Sequence, residues 1–364
     1  MEKRKVYDCL VIIVIIISTI ASIAFFNNDN RSAHVLPFII PRDIIINPHN
    51  KNELYAIFAK HGFYRSTDKG ETWIYFGTIN DVEFIGLTAF DPVEKTIYAG
   101  TPNGLFKSYD FNNWEKLGEF NSIQGIFVQP ADKSGIIYVT TGWGLYVSTD
   151  GHIWEKVNVP TSYSHVGLYP VAIDPSDPSI IYFAMVRPND ILIDDGWEGS
   201  GIYKSKDQGK TLEKILSTRK SILLISSSNA NIMYGMDENK LLKSVDGGAS
   251  WKIVSTLEYI FVEKLVVNPA DHNILYAITI DYSNSSGGKM LLLKSIDGGK
   301  TWQDISSDSP FDNSNAVTHI VVDPLNPDIL YAGASKGGIY KSTDAGKTWK
   351  ASNNGINISK DVKE

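Results

Sequence analysis

One short pattern, S-x-D-x-G-x-T-W, recurs along most of this chain and limits its fold more than any other feature. Seven copies are present, two of them one residue shorter, and they begin at Ser66, Ser108, Ser148, Ser205, Ser244, Ser295 and Ser342. The starting residues are 39 to 57 positions apart. Periods of ~40–50 residues are typical of propeller blades. The sequence therefore predicts seven blades.

The residues before each copy follow one order. A β-rich run comes first, most copies then have a proline turn, and a second run contains tyrosine, as in LYAITI. A third run such as GIYKS enters the pattern, and a fourth begins at its tryptophan. Short apolar runs separated by turn residues indicate antiparallel strands, and four of them make a blade. We predict an all-β, single seven-bladed propeller of four-stranded antiparallel blades over residues 44–356, followed by a polar tail at 357–364.

Each copy places an aspartate, a glycine and a tryptophan at the turn between the third and fourth strands. The carboxylate can accept N–H groups across the turn, glycine tolerates positive φ, and the hydroxyls add local bonds. The tryptophan can fill the space between blades. We expect structural roles for Asp68, Asp110, Asp150, Asp207, Asp246, Asp297 and Asp344, and for Trp73, Trp251, Trp302 and Trp349.

Residues 9–26 form an uncharged apolar run, and basic residues precede it within residues 1–8. Uncharged runs of this length are typical of membrane spans, and basic residues before the run favour a cytoplasmic N-terminus. We predict one N-terminal hydrophobic helix that anchors the protein in the membrane, with the propeller outside the cytoplasm. The alternative is a signal peptide cut after Ala24, which would give a secreted protein. Residues 27–43 form a linker, in which residues 34–40 are a candidate clasp for the last blade.

Charge and cysteine content exclude several functions. The chain has 34 basic and 41 acidic residues, a net charge of −7, and its one cysteine, Cys9, lies in the apolar run. An acidic chain without a basic cluster repels phosphate backbones, so nucleic acid is not an expected partner. A thiolate catalyst is excluded, and the histidines lack zinc-site spacing. We predict no cofactor and no metal.

In these repeats, most clearly in STDAGKTW from Ser342, the chain resembles the BNR or Asp-box repeat superfamily over about residues 44–354. That superfamily includes sialidases, two-propeller xyloglucanases, sortilin-type receptor domains and the photosystem II assembly propeller. The resemblance implies a propeller but selects none of these functions, because function lies in the loops. The arginine patch of the photosystem factor and the Arg-Ile-Pro signature of sialidases are absent, and only one propeller is present here.

Two enlarged connections between second and third strands, residues 187–201 and 281–289, point to a ligand site on the face opposite the boxes. The first combines carboxylates with a tryptophan, which suits sugar hydroxyls and rings. Alternatives for this loop are a solvated acidic segment or a Ca²⁺ site. Candidate binding residues are Asp190, Asp195, Trp197, Trp143, Tyr163, His165 and Tyr282. Other residues near the connections between blades, which either pack or line a pocket, are Tyr169, Tyr259, Phe311 and His319.

The candidate catalytic residues are Asp194 and Glu198. Hydrolysis of a glycoside needs two carboxyl groups ~5–9.5 Å apart, and Asp81 or Asp312 would supply the second. We expect a non-enzymatic binding or scaffold module that recognises a protein or glycan. The alternative is a glycoside hydrolase of xyloglucanase-like or, less favoured, sialidase-like ancestry.

Overall fold

A computed structural model describes residues 40–47, 50, 52–58, 61–82, 85–91, 94–129, 135–158, 167–174, 177, 179–186, 201–218, 223–226, 229–258, 260–283, 288–306 and 309–356. These ranges contain strands and turns and no helix. Accordingly, they include no helix long and apolar enough to cross a membrane. The predicted anchor at 9–26 lies outside the described residues, as does the candidate clasp except for Ile40.

The described strands form seven sheets of four strands. The first four blades contain β1 (Pro41–Ile46), β2 (Leu54–Phe58), β3 (Gly62–Ser66), β4 (Ile74–Gly77), β5 (Leu87–Asp91), β6 (Thr96–Thr101), β7 (Gly104–Ser108), β8 (Glu115–Gly118), β9 (Ile123–Val128), β10 (Ile137–Thr141), β11 (Gly144–Ser148), β12 (Glu155–Lys156), β13 (Gly167–Ile173), β14 (Ile181–Val186), β15 (Gly201–Ser205) and β16 (Glu213–Leu216). The last three contain β17 (Leu223–Ser226), β18 (Asn229–Asp237), β19 (Lys240–Ser244), β20 (Lys252–Thr256), β21 (Ile260–Val267), β22 (Leu275–Asp281), β23 (Lys289–Ser295), β24 (Gln303–Asp304), β25 (Val317–Val322), β26 (Leu330–Ala334), β27 (Ile339–Ser342) and β28 (Lys350–Ala351).

The arrangement of these sheets is that of a seven-bladed β-propeller, as the repeats predicted. Within each blade, neighbouring strands are antiparallel and follow chain order. The first strands of the first six blades contact one another in succession, and β1 also contacts β25 of the last blade. Lys264 of β21 in turn contacts His319 of β25. The first strands therefore surround the axis, and the ring is closed between the first and seventh blades.

Hydrogen bonds between connections define the two faces of the ring. Turns between first and second strands bond to the Asp-box turns, as in the Lys69 N–H donating to the Asn52 carbonyl at 3.0 Å. On the other face, connections between second and third strands bond to those between blades. There the Asn103 amide donates to the Asp81 carbonyl at 2.9 Å. We call this second surface the loop face.

Each Asp box closes its own turn. In the first blade Asp68 Oδ1 accepts the Thr72 N–H at 2.9 Å and the Ser66 hydroxyl at 2.8 Å. The Ser66 oxygen in turn accepts the Gly70 N–H at 2.8 Å, and Gly70 has a φ of 78°. The carboxylate is therefore engaged within the turn and holds the third and fourth strands together.

The box tryptophans pack between blades. Trp73 is 2% exposed, lies in the cluster shared by the first and last blades, and donates its Nε1–H to the Ser352 carbonyl at 2.8 Å. Partly buried tryptophans occupy the equivalent seams between later blades, and these are Trp251, Trp302 and Trp349. Truncation of such a large buried side chain to alanine lowers the free energy of unfolding by ~3–5 kcal/mol.

A tyrosine and a lysine on the second and third strands also reach the next blade. The Tyr276 hydroxyl and Lys294 Nζ donate to the Ala345 carbonyl in the following box, at 3.4 and 2.9 Å. Lys294 Nζ lies 5.4 Å from the centre of the Tyr276 ring. The third blade has Val147 at the lysine position, and within the described residues the buried Tyr138 hydroxyl has no hydrogen-bond partner.

The ring closes without exchange of strands, since the first and last blades are each built from one continuous segment. Main-chain contacts close it instead, because the Trp73 N–H donates to the Asn354 carbonyl at 2.8 Å. The Tyr331 hydroxyl donates to the Lys69 carbonyl at 2.8 Å. Gly355 has no room for a side chain, since a Cβ there would lie 2.1 Å from the Trp73 carbonyl oxygen.

Candidate functional site

Many residues predicted for the ligand site lie outside the described part of the chain. These are the acidic-loop residues Asp190, Asp194, Asp195, Trp197 and Glu198, and also Tyr163, His165 and Tyr259. The predicted pairing of Asp194 or Glu198 with a second carboxylate therefore remains a prediction. Among described residues, those on the loop face are Trp143, Tyr282, Asp81 and Asp312.

Trp143 presents an aromatic surface on the loop face. It lies at the turn between β10 and β11, where its N–H donates to the Thr141 hydroxyl at 3.0 Å. Its side chain is 50% exposed. The turn is anchored on both sides, since Thr141 also donates to the Gly144 carbonyl at 3.3 Å. An exposed indole on a hydrogen-bonded turn is the kind of group that dominates binding interfaces.

Tyr282 lies at the start of the enlarged loop of the sixth blade and is partly buried. Burial raises the pKa of its hydroxyl, and the Glu263 carboxylate raises that pKa further. The preceding Asp281 accepts the Ser283 N–H at 2.8 Å, which fixes the first turn of the loop. Tyr282 therefore stays a neutral hydroxyl that can donate or accept a hydrogen bond.

Asp312 is bonded within its own turn. Its Oδ1 accepts the Ser314 hydroxyl at 2.6 Å and the Ser314 and Asn315 N–H groups at 2.7 and 2.8 Å. The Ser314 hydroxyl and these N–H groups lower the Asp312 pKa, and Lys336 adds to the effect. A carboxylate held in this way suits a turn or a base and does not suit a general acid.

Most of the charged side chains in the described connections of the loop face are acidic. Their exposed acids are Asp81, Glu119, Glu238, Glu258 and Asp312. The exposed Lys336 donates to the Ser314 hydroxyl at 2.7 Å. A surface with this excess of carboxylates attracts cationic groups and repels anionic ones.

A second group of polar side chains surrounds the axis. His319 Nε2 lies 3.0 Å from Asp43 Oδ1, and the Thr88 hydroxyl donates to Asp43 Oδ2 at 2.8 Å. Lys264 Nζ lies 2.9 Å from His319 Nε2 and 3.3 Å from His319 Nδ1. The sequence pattern gave no indication of this axial cluster, which joins the first, second, sixth and seventh blades.

Register shifts place the ionisable members of the axial cluster. The pairing of β1, β21 and β25 skips one residue immediately before Asp43, Lys264 and His319, respectively. A bulge re-aims the side chains that follow it. His319 therefore belongs to a strand at the axis. Phe311, in contrast, is 3% exposed and packs against Tyr340 and Trp349 in the core.

The neighbouring charges in the axial cluster stabilise the ionised form of Asp43 more than that of Lys264. Burial opposes the charge of Asp43, but His319 and Lys264 outweigh it and hold the Asp43 pKa below its ordinary value. Burial lowers the pKa of Lys264 to about 8, although the Asp43 carboxylate acts in the opposite direction. The lysine charge is thus less well compensated than the aspartate charge.

Within the described ranges no group of three or more histidine, cysteine or acidic side chains could hold a metal ion. The acidic loop that was the candidate Ca²⁺ site lies outside those ranges.

The model of the family described as photosynthesis system II assembly factor YCF48 matches residues 216–359. The dispase autolysis-inducing protein of Streptomyces mobaraensis is 25% identical over 37% of this chain and 52% of its own length. An oligoxyloglucan-reducing end-specific xyloglucanase of Emericella nidulans is 26% identical over 71% of this chain and 27% of its own length. The chain thus spans about half or less of these relatives.

Solved structures show the same fold at low identity. A GH74 xyloglucanase from Xanthomonas campestris has a TM-score of 0.66 at 18% identity, covering 89% of this chain and 56% of its own. YCF48 from Cyanidioschyzon merolae has a TM-score of 0.58 at 12% identity, covering 84% and 96%. YCF48 bound to a D1 peptide has a TM-score of 0.56 at 15% identity, covering 87% and 96%. The boxes, the blades and these likenesses agree, and the chain has the Asp-box repeats and the seven-bladed fold of the BNR-type propellers to which it is similar.

Proposed function

We propose that this protein is an extracytoplasmic, non-enzymatic propeller that binds a segment of a partner protein on its loop face. The loop face carries this proposal, because it combines exposed carboxylates with the exposed side chain of Trp143. Aromatic anchors and complementary charge are the usual basis of protein recognition. The partner segment would carry basic residues.

Similarity to a propeller that has been seen with a bound peptide also supports a binding role. The chain covers 96% of YCF48, a single propeller that has been seen with a bound D1 peptide. It covers 56% of the Xanthomonas xyloglucanase. One propeller of this kind is therefore sufficient to hold a peptide. In addition, the candidate catalytic partner Asp312 is already bonded within its own turn, which does not suit a general acid.

The test is crosslinking of the full chain in its native membrane, followed by mass spectrometry of the captured partner. Trp143→Ala should reduce the yield of the crosslinked partner by at least about tenfold, the loss expected of an aromatic anchor. The control is Tyr109→Ala, because Tyr109 is a 58% exposed aromatic on the box face. Equal yields from the two variants would refute binding on the loop face.

Hydrolysis is tested separately with xyloglucan oligosaccharides. Sugar release by the full chain that is lost in the Asp194→Ala/Glu198→Ala variant would overturn the non-enzymatic part of the proposal. The location is tested by adding protease to intact cells. Digestion of the propeller is expected, because the uncharged run at 9–26 follows basic residues, whereas protection would place the propeller inside.

A further inference from the structure

We propose that the axial cluster of Asp43, Lys264 and His319 is a carboxylate-binding site that accepts one carboxylate of the partner segment. This inference rests on the proposed function, because it names the chemistry by which the loop face and its axis would recognise a protein. The ligand would carry an acidic group between basic residues. Its carboxylate would bind at the axis, and its basic side chains would contact the acidic loops around the axis.

Hydrogen-bond donors outnumber acceptors at Lys264. Its ammonium group has three N–H bonds, and within the described residues its nearest acceptors are the ring nitrogens of His319. A neutral imidazole offers one of its two ring nitrogens as an acceptor, whichever tautomer it adopts, and a protonated one offers none. Lys264 can therefore donate to at most one ring nitrogen of His319, and at least two of its N–H bonds have no acceptor within the described residues.

Asp43 does not supply the missing acceptors. Its Oδ1 accepts from His319 at 3.0 Å and from the Ile44 N–H at 2.9 Å, and its Oδ2 accepts the Thr88 hydroxyl at 2.8 Å. No hydrogen bond joins Asp43 to Lys264, both of which are described residues. The lysine remains partly buried next to a carboxylate that is already bonded to other groups. Unpaired donors of a charged, desolvated group are costly, and an incoming carboxylate would satisfy them.

The cluster can be reached by a side chain or a chain end. Asp43 and His319 are 24% and 19% exposed, and the exposed Thr318 lies beside His319 at the bulge of β25. Charged groups of these inner strands include Arg42 and Glu263 as well as the cluster. The two fixed cations among these groups, Arg42 and Lys264, are balanced by the carboxylates of Asp43 and Glu263. Recognition therefore depends on the directed Lys264 donors rather than on a net positive field.

Competitive labelling of lysines by reductive methylation, followed by peptide mass spectrometry across pH, tests this inference on the full chain. The probes are Ac-Arg-Glu-Arg-NH₂, with a side-chain carboxylate, and Ac-Arg-Ala-Arg-OH, with a terminal one. A bound carboxylate should raise the Lys264 pKa by about one unit or more and lower its labelling at pH 8 several-fold. The peptide that acts identifies the source of the carboxylate.

Two controls make the result specific. The neutral Ac-Arg-Gln-Arg-NH₂ should leave Lys264 unchanged, and the exposed Lys289 should respond to no peptide. No response to either acid, or an equal response to the glutamine peptide, would refute the carboxylate site. If these peptides fail while the Trp143-dependent partner is still captured, the axial inference is wrong and the proposed function stands.

Lys264→Met gives an independent measurement, since methionine keeps most of the apolar stem. We expect it to reduce capture of the partner by at least about tenfold, as for loss of a charged hydrogen bond, with Lys289→Met as the control. Equal capture by the two variants would contradict the inference. If Lys264→Met does not fold, the labelling of the unmodified chain still decides.

Discussion

Glu53→Gln is the substitution whose effect the structure specifies in most detail. Glu53 is 4% exposed and accepts the Asn47 amide at 2.7 Å, the Tyr55 hydroxyl at 2.9 Å and Arg65 Nε at 2.8 Å. A second Arg65 nitrogen lies 2.5 Å from the carboxylate. Glutamine keeps the shape of this side chain but removes its charge and replaces one acceptor with a donor.

The expected cost follows from these contacts. Removing one partner of a buried ion pair costs ~3–5 kcal/mol, and the new glutamine amide would face another donor at Asn47. Arg65 is 36% exposed, so water recovers part of its interaction. We therefore expect Glu53→Gln to lower the free energy of unfolding at neutral pH by about 2–4 kcal/mol.

The pH dependence provides a second, independent result. Burial opposes the charge of Glu53, but Tyr55, Asn47 and Arg65 outweigh it and hold the Glu53 pKa below its ordinary value of 4.5. Its stabilisation is present above 4.5 and is lost as the pH falls through the folded-state pKa. Protonated glutamate resembles glutamine, so the difference between the two proteins should shrink below pH 4.5.

Chemical denaturation followed by tryptophan fluorescence, repeated between pH 3 and 8, measures both quantities. Arg65→Met is the matched variant, because it removes the cation and leaves the carboxylate with two neutral donors. The reasoning would be refuted by a Glu53→Gln protein within about 0.5 kcal/mol of the unmodified chain at pH 7, the range of ordinary surface substitutions. It would also be refuted by a difference that does not change with pH.

Four further outcomes are expected from thermal melts of the full chain. Trp73→Ala should cost about 3–5 kcal/mol, because it opens the seam between the first and last blades; a smaller loss than for Trp349→Ala would argue against this seam closing the ring. Lys294→Met should cost about 1–2 kcal/mol through its lost bond and ring contact. Asp297→Asn should lower the Tm at neutral pH. The Thr301 hydroxyl and N–H lower the Asp297 pKa to about 2, so that loss should vanish as the pH falls toward 2. Deleting residues 34–40 should lower the Tm by several degrees if they clasp the last blade, and an unchanged Tm would contradict the clasp.

The number and composition of the blades could be predicted because each repeat carries its structure locally. The Asp68 carboxylate bonds to residues within four positions of it, so one box determines one turn. Repetition of that turn, with three apolar runs before it, is sufficient to give the sheet order. The same local patterns place the loops on a common face.

The contacts between blades were harder to predict, because their partners are distant in sequence. Tyr276 and Lys294 both donate to the Ala345 carbonyl, although tyrosine in the second run and lysine in the third are plain in the repeats. Their common partner is a backbone oxygen of the following box, and because every residue has such an oxygen, the sequence does not identify it. Only the three-dimensional arrangement brings them together.

The axial cluster is the clearest example of this limit and explains why the ligand site was sought elsewhere. Asp43, Lys264 and His319 each precede an unremarkable apolar run of a first strand. No spacing in the sequence links them, because only the closed ring places the first strands of the first, sixth and seventh blades side by side. Ring closure therefore creates a polar site that no single repeat encodes. As a result, substitution of one residue in the first strand of a blade can change the charge and hydrogen bonding at the axis without altering the box or the strands of that blade. The proteins similar to this chain include both hydrolases and an assembly factor, so its own specificity should lie at the axis and on the loop face.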